Sequence, residues 1–199
     1  MKSEPFLWIH LAGIAAFPLF LQVAWVGLAI GDPLPLVWLE WLFLGTIVVV
    51  PILWMQWARP FDIFSLLFVA LRPDRLTPEQ LKILSLFKRP SHRLVTILGT
   101  VLFIAIVWQV YRFAPLADSI AGVFPRWRFL GLVIAGVALL LAHLFLQVPL
   151  SVLAVLLTND RVWREIEPVA IERIPQLFTL FGIKVNRIAL LPTELLKTD

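Results

Sequence analysis

In the stretch His143–Arg161, "HLFLQVPLSVLAVLLTNDR", His143 and Gln147 stand one helical turn apart in a run that is otherwise oily. The same pentapeptide, Leu-Phe-Leu-Gln-Val, occupies Leu19–Val23, in another oily run that also carries His10. A neutral imidazole binds a metal through one ring nitrogen while the other donates to a neighbour. That chemistry suits the magnesium of a chlorophyll or the iron of a haem, with His143 as axial ligand. His10 joins it as a second ligand only if the two histidines lie at matching depth. The plainer reading of His143 is a hydrogen bond to an adjacent helix, and Gln22, Gln56 and Gln109 read as polar struts between helices, worth about 0.6 kcal/mol each on average. A path for transport past Gln22, Gln56 or Gln109 is a third reading, and the sequence leaves all three open.

Other chemistry is harder to place. The chain lacks a His-Glu-x-x-His zinc pattern, a Gly-x-Ser-x-Gly elbow, a glycine-rich phosphate loop and paired carboxylates inside an apolar run. With no cysteine, disulfides, thiolate nucleophiles, iron–sulfur clusters and covalently attached c-type haem are excluded. Glu40 is the only acid near an apolar run and sits within a turn of its edge, which reads as an interfacial carboxylate. The expectation is a protein that is not an enzyme.

The elements that must position these residues are set by hydropathy. Of 199 residues 60% are hydrophobic and only 15% charged, and the mean hydropathy is +0.91. Soluble domains average about 45–50% apolar and about 25% charged, so this is an integral membrane protein. A spanning helix needs about 20 apolar residues, and four windows qualify: about 6–30, 36–57, 94–113 and 129–157. The first is too long for the core of a signal peptide and is expected to stay in the mature protein. "GDPLP" makes the first two spans a tight hairpin. Pro18, Pro51 and Pro149 each remove a helix hydrogen bond and predict a kink. The tryptophans cluster near span ends, as an aromatic belt requires.

Basic residues set the expected orientation. One side holds Lys2, seven cations from the 58–93 loop and six from the tail, fourteen in all, against Arg112, Arg126 and Arg128. The positive-inside rule then puts both termini in the cytoplasm. The net charge of +4 fits anionic lipid head groups rather than nucleic acid.

Within the loop, Phe61, Phe64, Leu67, Phe68 and Leu71 have helical spacing and predict an interfacial helix. "LTPEQLKILSLFKRP" carries a complete helix start: Thr77 as cap, Pro78 in the first turn and Gln80 closing a capping box. Arg72, Arg75, Lys82, Lys88, Arg89 and Arg93 would make this platform a docking face for partners. The tail, 158–199, carries six basic and six acidic residues. There "VAIERI" and "GIKVNRI" read as a short hairpin across Pro175–Phe181 or as an extended segment ordered by a partner. The fold class is therefore all-α: a four-helix membrane bundle over 1–157 with an ordered amphipathic-helix loop, then a polar cytoplasmic tail.

The segments "SEPFLWIHLAGIAAFPLFLQVAWVGLAIGDPLPLVWLE", "LWMQWARPFDIFSLLFVAL", "LSLFKRP" and "LFLQVPLSVLAVLLT" together resemble a family of cyanobacterial proteins, the low-complexity tail membrane proteins. The similarity runs over nearly the whole chain, although the biased extension implied by that name is not found before Asp199. No catalytic motif comes with the resemblance. It implies a photosynthetic bacterium and the thylakoid membrane. The expected function is that of an accessory subunit or assembly factor of a photosystem-type complex, with other membrane proteins as partners. A chlorophyll- or haem-binding protein, or a small transporter or channel component, are the alternatives.

Overall fold

A computed structural model describes residues 3–66 and 68–188. Lys2, Leu67 and Lys197, which entered the expectations above, lie outside the described residues, as does the tail beyond Ile188. Among the described residues, four helices are long and apolar enough to cross a membrane: Pro5–Ala29, Val37–Ala58, Pro90–Arg112 and Arg128–Leu156. The windows expected from hydropathy match them to within four residues at every end. Proline fixes where two of them begin, since Pro5 and Pro90 each occupy the first turn, where a missing N–H costs nothing.

The internal prolines act through the carbonyl four residues earlier, which the ring would strike. For Pro18 that is Ile14, and the first span tightens into a 3-10 turn at Gly13–Ala15. For Pro51 it is Ile47, and the second span widens into a π turn at Gly45–Val49. Pro149 is absorbed without any such change, because Arg128–Leu156 runs on as one α-helix.

The fourth span is the central one, with half of its most apolar stretch buried inside the protein. It meets the first span at glycines. A Cβ on Gly131 would lie 2.5 Å from the carbonyl oxygen of Gly27 and 2.8 Å from that of Ile30. Its inward face continues through Ala135, Ala138 and Ala142, all buried. Small residues let backbones approach and gain dispersion contacts where lipid supplies no hydrophobic drive.

At one end of the bundle the loop and tail fold together into a cap with its own apolar core. Phe64, Leu84, Phe87, Ile174 and Phe178 pack there against Phe6 of the first span and Val152 of the fourth. The helix Pro78–Phe87 begins as expected. Gln80 N–H donates to Thr77 Oγ1 at 3.3 Å, and Thr77 N–H donates to Gln80 Oε1 at 2.9 Å. Its Leu81, Leu84 and Phe87 face is buried in this core. Gln80 Nε2 also reaches Glu4 Oε2 at 3.3 Å, so the start of the first span lies at the cap end.

Two expectations are corrected here. The described residues 61–66 and 68–71 do not form an interfacial helix: β1 (Ser65–Leu66) pairs antiparallel with β2 (Val69–Leu71). Asp62 starts the departure, because its Oδ1 accepts from Phe64 N–H and its carbonyl from Ser65 Oγ. Such local bonds compete with helix formation. Among the described residues, the tail does not pair with itself. Residues 171–177 coil into short helical turns, and β3 (Ile183–Val185) pairs parallel with β2. Gly182, at φ 106°, makes this fit, since any Cβ there would meet the Phe68 backbone at 2.4 Å.

Candidate functional site

His143 and Gln147 face the bundle interior and are fully buried. His143 Nδ1 lies 3.2 Å from the carbonyl oxygen of Val48, in the π turn of the second span. A carbonyl only accepts, so Nδ1 carries the proton and Nε2 is the lone-pair nitrogen. Nε2 faces Gln147 Nε2 at 3.4 Å, and the ring stacks on Phe103 with centroids 4.3 Å apart. The two hydrogens of the Gln147 amide go to Thr96 O at 2.9 Å and to Thr100 Oγ1 at 2.8 Å. Gly99 leaves room for it, since a Cβ there would sit 2.8 Å from Gln147 Oε1. Together these contacts tie the second, third and fourth spans at mid-bundle. A porphyrin ligated at His143 would have to displace both Gln147 and Phe103.

His10 belongs to a different place. Its Nδ1 lies 2.8 Å from Phe6 O and its Nε2 lies 3.1 Å from Ser65 O. Both neighbours are acceptors, so a neutral ring satisfies one and an imidazolium satisfies both. Its ring contacts Phe61, 5.9 Å away. His10 thus bolts the hairpin to the first span, and its contacts are distinct from those of His143.

The glutamines divide. Gln56 is buried on the second span, whereas Gln22 and Gln109 are exposed on the outer surface of the bundle. These two are therefore not the interhelical polar contacts expected of them, and the three do not line one path. The 3.6-residue period of an α-helix cannot by itself say which face meets lipid.

The sequence reading missed the principal polar centre. Glu40 is not an interfacial carboxylate but a fully buried one, at the end of the bundle away from the cap. Arg128 Nε donates to Glu40 Oε1 at 2.7 Å, and Arg128 Nη2 forms a still closer ion pair with Oε2. Tyr111 Oη donates to Oε2 at 2.8 Å, and Leu34 N–H donates to Oε1 at 2.8 Å. The remaining guanidinium nitrogen reaches Leu28 O at 2.7 Å. One cluster thereby joins the second, third and fourth spans to the first hairpin turn. An acid in an oily span needs a partner, and the sequence offers two cations at span ends on that side, Arg112 and Arg128, without saying which one answers Glu40. Neutralised inside, Arg128 adds nothing to the exposed charge of that end.

The six cap cations do different things. Arg72 and Arg75 are exposed and share Asp74, at 3.2 and 3.9 Å. Lys82 lies over the Trp163 ring at 5.8 Å, and Arg93 over Trp57 at 5.2 Å. Lys88 donates to Ala58 O at 3.1 Å and sits over Phe178. Burial, then the charges of Arg93 and Arg59, lower its pKa. Arg89 is half-buried at the junction with the third span. Lys88 thus fastens the cap to the second span and Arg93 joins the third span to the second, while Arg72 and Arg75 look outward. Below them Asp62 is buried with Oδ2 unpartnered, and burial pushes its carboxyl up to about 6. Burial also raises Glu4, which Gln80 partly offsets.

Among the described residues no group of three or more His, Asp and Glu is placed to hold a metal ion. No curated protein and no solved structure matches the chain. Residues 3–190, which take in all four spans and the cap, match one family profile, and the chain belongs to the low-complexity tail membrane protein-like family.

Proposed function

We propose that this protein is a non-catalytic accessory subunit or assembly factor of a membrane complex, and that the cap is its docking face. One observation carries this reading. The cap exposes Phe68 (72%), Phe181 and Ile183 (74%) side by side, where Ile183 N–H bonds to Phe68 O at 2.7 Å. Next to them Arg72 N–H bonds to Val185 O, which brings exposed Arg72 and Lys184 to the same edge. An apolar centre rimmed by cations, on a rigid three-stranded edge, has the composition of a protein interface. The buried polar groups support the same role, because His143, Gln147, Glu40 and Arg128 are spent on joining helices.

The cap side is cytoplasmic in this reading, on the strength of the fourteen-to-three asymmetry of basic residues. The setting we propose, a photosystem-type complex of a thylakoid membrane, rests on the cyanobacterial resemblance of the sequence. Purification of the tagged protein from its native membrane tests the proposal. Co-migration with a larger, chlorophyll-containing assembly on a native gel is the expected result. A protein that runs alone under every mild solubilisation contradicts it.

A further inference from the structure

The chain between the third and fourth spans is inside-out. Ala114, Ala117 and Ala121 are buried, while Leu116 (72%), Ile120 and Val123 (80%) are exposed. In the 3-10 turn Ala114–Ala117 and the helical turn Asp118–Ala121, these two sets occupy opposite faces. Water-soluble surfaces seldom carry such a contiguous apolar ridge. Asp118 and Ser119 lie on the remaining, polar side, and Asp118 is 4.0 Å from exposed Arg126.

The level of this ridge is fixed by its contacts. The third span has 23 residues, about 35 Å at 1.5 Å per residue, against a hydrocarbon core of about 30 Å. Phe113, which follows it, therefore stands at the membrane boundary. The chain then turns back rather than rising. The Trp25 indole, a turn inside the end of the first span, donates to Phe113 O at 2.6 Å. Ala114 packs in the same core as Ala24 and Leu28. An indole at such a level is a standard interfacial anchor.

We infer that residues 113–124 form a lipid-embedded shelf, with Leu116, Ile120 and Val123 inserted among the acyl chains and Asp118 and Ser119 turned to the head groups. Lipid is the occupant because the ridge continues the outward, lipid-contacting surface of the first and third spans, where Val23, Leu98, Val101 and Trp108 are exposed as well. An apolar face of this kind, with polar residues along one side, grips the interface in the manner of an amphipathic helix. The shelf lies at the end opposite the cap, so it holds the bundle at a fixed depth without occupying the proposed docking face.

The cysteine-free chain makes the test direct. Single variants Leu116→Cys, Val123→Cys and Ser119→Cys are labelled with an environment-sensitive dye in the full-length protein and placed alone in phosphatidylcholine nanodiscs. Lipids carrying a spin label below the head group are expected to quench dye at 116 and 123, and aqueous iodide to quench only dye at 119. Thermal melts of the labelled proteins identify any variant that has lost its fold, and Val123→Cys and Leu116→Cys report on the same ridge independently. Iodide quenching at 116 and 123 equal to that at 119 would place the ridge in water and overturn the inference. Protection from both quenchers would mean that protein, such as a second copy, covers it, and would overturn it equally.

Discussion

Glu40 and Arg128, 88 residues apart in sequence, form a buried ion pair in which both carboxylate oxygens are bound by the same guanidinium. The pair sits where the first hairpin turn, the second span and the start of the fourth converge, and Tyr111 adds the third span. Removing one member of such a pair strands the other charge in a low dielectric and costs about 3–5 kcal/mol. Glu40→Ala and Arg128→Ala should each lower the melting temperature sharply in nanodiscs. The joint replacement Glu40→Leu with Arg128→Leu should recover much of the loss, because an apolar pair leaves no charge behind. A double variant as unstable as either single one would show that the charges themselves hold the hairpin.

The mid-bundle cluster should behave differently. Gln147 and His143 make neutral hydrogen bonds, worth on average about 0.6 kcal/mol in membranes. His143→Leu and Gln147→Leu should therefore cost far less than Glu40→Ala. The absorbance of the purified complex should not change, since the His143 ring is held by Val48 O and stacked on Phe103, with the Gln147 amide packed against its Nε2. Loss of a pigment or haem band in His143→Leu would refute this.

Asp62 gives the cap a pH dependence. Its carboxyl is held up to about 6 by burial, against an ordinary 3.8. The folded protein then binds more protons than the unfolded chain between these values, so stability falls as pH rises through this window. The loss amounts to at most about 3 kcal/mol. Asp62→Asn keeps the bond from Phe64 N–H, and should be more stable than the parent above pH 6. The two should converge below pH 3.8. Parallel curves over the whole range would show that Asp62 does not titrate there.

Orientation is testable with the same cysteine-free background. Arg75→Cys lies on the cap and Arg126→Cys at the opposite end, both exposed. With the protein expressed in the plasma membrane of a bacterial host, a membrane-impermeant maleimide added to intact cells should label Arg126→Cys and spare Arg75→Cys. The reverse pattern would invert the topology.

The spans were legible because hydropathy alone decides them, and the helix Pro78–Phe87 because Thr77, Pro78 and Gln80 carry its whole start signal within four positions. The hairpin at 65–71 was not. Phe61, Phe64, Phe68 and Leu71 fit a helical period, but a short apolar run fits a strand equally well. What decides it is β3, supplied by Ile183–Val185 from more than a hundred residues away. The Glu40–Arg128 pair was concealed in the same way. Each residue is unremarkable at a span end, and only the packing of the fourth span against the second shows that one answers the other. Gln22 and Gln109 failed for a third reason, since composition cannot tell a lipid-facing surface from a helix interface when both are apolar.

The central claim is that the cap edge formed by Phe68, Ile183 and Arg72 docks the protein onto a membrane complex. Its most direct test is native-gel migration of the tagged protein carrying Phe68→Asp and Ile183→Asp together, solubilised mildly from its own membrane. Both side chains are largely exposed, so the melting temperature should stay near that of the parent. The expected result is loss of the variant from the high-mass assembly while the parent co-migrates with it. A variant that stays in the assembly as fully as the parent would contradict the account.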